Sequence, residues 1–140
     1  MPRGVVGGAV AVALALTGAG CGEDEFANEG RPAEPISVGV VITPRGVKAS
    51  PSRFGAGIIQ LTVSNQTDTA QRLRLRSERL APGGSELDQA TGPISPGGVA
   101  TLKADVDEGT YVASAAARLA PASITVGAPR ESAQDRVLQP

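Results

Sequence analysis

The chain has 140 residues, with thirteen Lys and Arg against fourteen Asp and Glu, no histidine, a single cysteine, and only Phe26, Phe54 and Tyr111 as aromatic residues. That length suits one domain with a modest core, and the near-neutral balance draws neither nucleic acid nor anionic lipid to the surface as a whole. The counts exclude His/Cys metal sites and internal disulfides and remove the stacking platforms of single-stranded nucleic-acid binders, leaving aliphatic packing and backbone pairing to hold the fold.

Met1-Pro2-Arg3 precedes a small and apolar run from Val5 to Leu16, then Thr17-Gly18-Ala19-Gly20-Cys21. A charged start, an apolar run and a small-residue exit make residues 1–20 an export signal. The run falls short of the roughly 20 apolar residues that span a bilayer. As a permanent span, its flanks Arg3 and Glu23-Asp24-Glu25 would still place the rest of the chain outside. Ala19, Gly20 and Cys21 resemble the lipobox of bacterial lipoproteins, with Gly18 standing where that pattern usually has an aliphatic residue. The resemblance implies a diacylglycerol thioether on Cys21 and a lipid anchor at the extracytoplasmic face of the cell membrane, where two acyl chains hold stably. The alternative is an ordinary secretory signal that leaves an unpaired thiol in an oxidising compartment. Residues 21–35 are then an acylated cysteine and a flexible tether, charged and interrupted by Gly30, Pro32 and Pro35.

From Ile36 to Gly127 short β-branched runs alternate with Gly and Pro, the pattern of a small all-β domain. Strands are expected at Ile36–Ile42 and Ile58–Ser64, with Gly55-Ala56-Gly57 as flexible backbone before the second. Strict alternation in Gln71-Arg72-Leu73-Arg74-Leu75-Arg76 places both leucines on a buried face and three arginines on the other. Val99 to Val106 alternates again, with Leu102, Ala104 and Val106 inward and Thr101, Lys103 and Asp105 outward. Tyr111-Val112-Ala113 and Ile124-Thr125-Val126 close the set, and residues 128–140 read as a polar C-terminal tail.

Asp107-Glu108-Gly109-Thr110-Tyr111 has the form of a tyrosine corner, in which the phenol bonds to backbone a few residues upstream; a plain turn before a strand is the alternative. Taken in order, Ala49-Ser50-Pro51, the strand ending Val63-Ser64-Asn65, Ile94-Ser95-Pro96-Gly97-Gly98-Val99-Ala100-Thr101-Leu102 and Gly109-Thr110-Tyr111 resemble a cupredoxin-type domain over residues 36–127. The resemblance implies a Greek-key β-sandwich. It also implies that the metal ligands of copper-binding members would fall near Gln71, near Ala115 and in Ala116-Ala117-Arg118-Leu119-Ala120, none of which is a ligand type. No cofactor and no metal are therefore expected.

Arg72, Arg74 and Arg76, continued by Arg79, form the candidate anion-binding row, with about 7 Å between alternate strand positions and bidentate geometry at each guanidinium. A solvated face balanced by neighbours such as Asp105 is the other reading. Asp105, Asp107 and Glu108 suit a turn better than a calcium or acid–base site. No histidine activates a hydroxyl nucleophile, which leaves only a buried Lys48 or Lys103 as a base. Asn65-Gln66-Thr67 matches a glycosylation acceptor and reads as a turn. The functional expectation is a lipid-anchored, extracytoplasmic, non-catalytic binding or structural module that reaches the membrane through lipid on Cys21 and engages an envelope protein, not nucleic acid. The alternative is a carrier or receptor for an anionic ligand or envelope polymer on the arginine face.

Overall fold

The computed structural model describes residues 32–132, so the export signal, Cys21, most of the tether and the last eight residues lie outside the described residues. Eight strands follow in order: β1 (Ile36–Thr43), β2 (Gly46–Ser50), β3 (Arg53–Asn65), β4 (Arg74–Leu80), β5 (Asp88–Ala90), β6 (Val99–Val106), β7 (Gly109–Ser114) and β8 (Ala122–Pro129). No helix occurs among the described residues, so none there is long and apolar enough to cross a membrane.

The strands form two layers that share β3, because that strand is long enough to serve both. Its second half pairs with β1 in parallel and with β6 antiparallel, and β2 folds back on β1. Its first residues, Arg53 to Gly55, pair in parallel with β8, and β7, β4 and β5 continue that layer antiparallel. Alternation sends one side of each strand inward. Val38, Val40, Ile42, Ile59, Leu61, Val63, Ala104 and Val106 from the first layer meet Leu73, Leu75, Tyr111, Ala113, Ile124 and Val126 from the second. Truncating a buried leucine in such a core costs about 2–5 kcal/mol.

The Tyr111 hydroxyl donates to the Asp107 carbonyl oxygen at 3.0 Å, four residues upstream, so the expected tyrosine corner is formed. The strand at Val99–Val106 has the expected limits and faces.

Three expectations change. Gly55-Ala56-Gly57 is not loop but the part of β3 that crosses between layers, with a register shift between Gly55 and Ala56. The glycines make room for a side chain. Arg130 donates from Nε to the carbonyls of Gly55 and Ala56 at 3.1 and 3.2 Å, and from Nη2 to that of Ile58 at 2.9 Å. A Cβ on Gly57, whose φ is +127°, would lie 2.9 Å from Arg130 Nη2, and one on Gly55 would lie 2.7 Å from the Ala128 carbonyl oxygen. Second, residues 128–130 are not tail: β8 runs through Pro129, and Arg130 also donates from Nη1 to the Glu34 carbonyl at 2.5 Å. Third, the strand expected at Gln71–Arg76 begins at Arg74, while Gln71 makes only an isolated bridge with Ile94.

Candidate binding surfaces

The outward side of the β8–β7–β4–β5 layer carries the arginines. Leu73 and Leu75 are buried, so Arg74 and Arg76 emerge on the opposite side, as alternation requires. Arg79 has the wrong parity to join them in a regular strand. A register shift between Ser77 and Arg79 absorbs Glu78, however, and places Arg79 opposite Thr110, just as Arg76 stands opposite Val112 and Arg74 opposite Ser114. The bulge thus returns Arg79 to the outer face. From Thr110 the ladder continues to Thr125 on β8 and on to Arg53 on β3. One row across the sheet therefore reads Arg79, Thr110, Thr125, Arg53, spanning three strand spacings or about 14 Å. The next row reads Asp88, Arg76, Val112, Ser123.

Charge is unevenly balanced over this surface. Arg74 grips Asp88 with two parallel bonds, Nε to Oδ1 at 2.6 Å and Nη2 to Oδ2 at 2.5 Å. That hydrogen bond holds the Asp88 carboxyl below its ordinary pKa, against its desolvation, and the Arg74 and Arg76 charges assist. The guanidinium groups of Arg53, Arg76 and Arg79 make no hydrogen bond or ion pair among the described residues, and neither do the hydroxyls of Thr110, Ser114, Ser123 and Thr125. The expected neutralisation by Asp105 is replaced by Asp88, because Asp105 lies on β6 opposite Ile58, in the other layer. Lys48 and Lys103 are exposed on that other layer, so neither has the buried surroundings a lysine base requires. The Asp107 carboxylate accepts from the Ser85 amide at 2.7 Å, a loop-fixing role that matches the turn reading.

Arg72 stands apart from the row. It lies before β4 and, with Ala70, Gln71, Pro93, Ala115 and Ala116, lines an open concavity of about 360 Å³. Gln71 is 5% exposed and donates from Nε2 to Thr69 Oγ1 at 2.9 Å. The fold thus brings together Gln71 and the Ala115–Ala116 stretch, the positions singled out by the cupredoxin resemblance. An amide, a guanidinium and methyl groups do not fit copper, whose sites of that kind take imidazole and thiolate. Among the described residues no three His, Cys, Asp or Glu cluster as a cation site.

Beside this concavity Asn65 is fully buried and uses its whole amide. Nδ2 donates to the carbonyls of Thr69 at 2.8 Å and Ile94 at 2.9 Å, while Oδ1 accepts from the Thr67 amide at 3.0 Å and the Thr67 hydroxyl at 2.8 Å. The turn expected at Asn65-Gln66-Thr67 is there, and its asparagine nitrogen is committed to the protein, out of reach of glycosylation.

Sequence reasoning missed Arg53 and the threonines of β7 and β8 as partners of the arginine row. No pattern within β4 announces which strands lie beside it, and Arg53 becomes a neighbour only through the crossing of β3. No protein-family model matches the chain, and a search of curated proteins returns no match.

Proposed function

We propose that this chain is a lipid-anchored, extracytoplasmic, non-catalytic binding module built on a metal-free, cupredoxin-like Greek-key sandwich. The observation that carries the reading is the meeting of Gln71 with Ala115 and Ala116 in one concavity, the arrangement implied if these positions correspond to ligand positions of copper-binding relatives. The parallel pairing of β1 with β3 and the Tyr111 corner support the same reading. Its mode of action is contact: the chain lacks histidine altogether, its one thiol is Cys21, and the exposed lysines offer no activated base.

The tether joins the sandwich beside Arg130, and β1 runs from there to Ile42, level with Asn65. Seven residues of strand put the Gln71 concavity about 20 Å from that junction. The test is metabolic labelling with an alkyne fatty acid in a bacterial host, comparing wild type with C21S. Label and membrane retention confined to the wild type are expected. Equal labelling of both, or a soluble unlabelled wild type, refutes the anchor.

The second reading, a receptor for an anionic ligand on the arginine face, is favoured by the bulge at Glu78, which adds Arg79 to the face at the expense of regular pairing.

A further inference from the structure

We infer that the outer face of the β3–β8–β7–β4 layer is a docking surface for a linear phosphate polymer, with Arg53, Arg76 and Arg79 as its cationic contacts and Thr110, Thr125 and Ser123 as hydroxyl donors between them. This deepens the receptor reading and is independent of the anchor.

The working set differs from the row that the sequence suggests. Arg72 belongs to the concavity at the far end of the strands. Arg74 has both of its parallel donors committed to Asp88. What remains is Arg79 on β4 with Arg53 across the sheet from it and two threonines filling the ladder between, and Arg76, whose guanidinium is unpaired but shares an open concavity with Glu86 and Asp88. With backbones about 14 Å apart, Arg53 and Arg79 reach one small anion only by both leaning over the threonines between them, whereas a chain with repeated charges engages both ends at once.

Charge complementarity selects a polyanion, and the donor set selects phosphate. The pairing of Arg74 with Asp88 shows how a guanidinium fork takes up one lone pair on each oxygen of a carboxylate, and the lone pairs left over lie in that same plane rather than towards a hydroxyl beside it. A phosphate unit in a polymer offers two charged oxygens and ester or bridging oxygens besides, so a guanidinium and an adjacent threonine can both donate to it. A bilayer surface fits less well. The only apolar side chain in the two rows is Val112, which is half-buried, and the exposed large hydrophobics Ile58 and Val99 lie on the other layer. A polymer read by its rings also fits less well, since Tyr111 is buried.

The test is binding of the purified chain to long-chain inorganic polyphosphate, followed by fluorescence anisotropy over a salt series. Poly-glutamate and phosphatidylglycerol vesicles serve as the other arms. Three contacting arginines give a slope of log K against log salt of about −2, and each arginine removed reduces it by about 0.7. R79Q and R53Q are expected to show that reduction, with K103Q on the opposite layer as the unchanged control. In R53K/R79K the slope stays near −2 while affinity falls, because lysine keeps the charge and loses the fork. Wild-type slopes in R53Q and R79Q overturn the inference. So does binding of poly-glutamate as tight as that of polyphosphate, or binding to vesicles alone. Fatty-acid labelling of Cys21 is read separately, so failure of the surface and failure of the anchor are distinguishable.

Discussion

Replacing Asn65 by alanine removes four hydrogen bonds at once from a side chain with no exposure. The losses are unequal. The Ile94 carbonyl still accepts from the Gln71 amide at 3.0 Å, and the Thr69 carbonyl still accepts from the Thr67 hydroxyl at 2.9 Å. The Thr67 amide, by contrast, loses its acceptor. At about 1 kcal/mol net per bond, with some relief from the two carbonyls that keep a donor, N65A should cost about 3 kcal/mol. For a domain of this size that is a fall in Tm of about 12–24 °C, a large part of a total stability of about 5–15 kcal/mol. Thermal and urea unfolding followed by circular dichroism measure it. N65D separates the electrostatic part. Its carboxylate would face the Thr69 and Ile94 carbonyls where the native amide donates, so its folded-state pKa rises above the ordinary value near 3.9. Stability of that variant is therefore greatest below about pH 4 and falls as pH rises through the folded pKa. N65D should approach wild type at pH 4 and fall well below it at pH 8. A cost under about 1 kcal/mol for N65A, or a pH-independent N65D, would refute the assignment of Asn65 as the hub of this end.

Tyr111 is the chain's one tyrosine, so absorbance near 295 nm titrates it alone. Burial, opposed by the hydrogen bond to Asp107, raises its pKa above the ordinary value of 10.0; the stability this contributes is intact below pH 10 and declines as pH rises from there towards the folded pKa. Y111F should lose about 1 kcal/mol at neutral pH and lack that alkaline decline in urea melts. G57A combines a strained positive φ with a Cβ pressed on Arg130 and should cost about 1–3 kcal/mol, with R130Q giving a smaller loss and earlier proteolysis at the junction near Glu34. D88N should leave Arg74 without its carboxylate and make polyphosphate binding tighter, by up to tenfold at low salt; weaker binding would show that Asp88 is not competing with the polymer.

Where a strand has one buried side, its sequence announces it. Val99–Val106 shows both its limits and its faces because every second residue packs inward. β5 does not, since Asp88, Gln89 and Ala90 are all exposed and an edge strand without a buried side has no alternation to show. β2, five residues behind a turn, is hidden for another reason: Gly46 and Val47 are buried in succession, which breaks period two, and Pro51 follows at once. The glycines at 55 and 57 resemble loop because glycine's local signal is conformational freedom. Their use here is room for an arginine 75 residues away from Gly55, and that is a long-range fact. The arginine surface divides along the same line. Arg74 and Arg76 follow from period two, whereas Arg79 depends on a bulge and Arg53 on a strand that serves both layers.

The claim that recognition belongs to the outer face of the β3–β8–β7–β4 layer is tested most directly by amide chemical-shift mapping during titration with polyphosphate. Shifts should gather at Arg53, Arg76, Arg79, Thr110, Ser123 and Thr125. Shifts confined to the Gln71 concavity, or to the opposite layer around Lys48 and Lys103, would contradict the account.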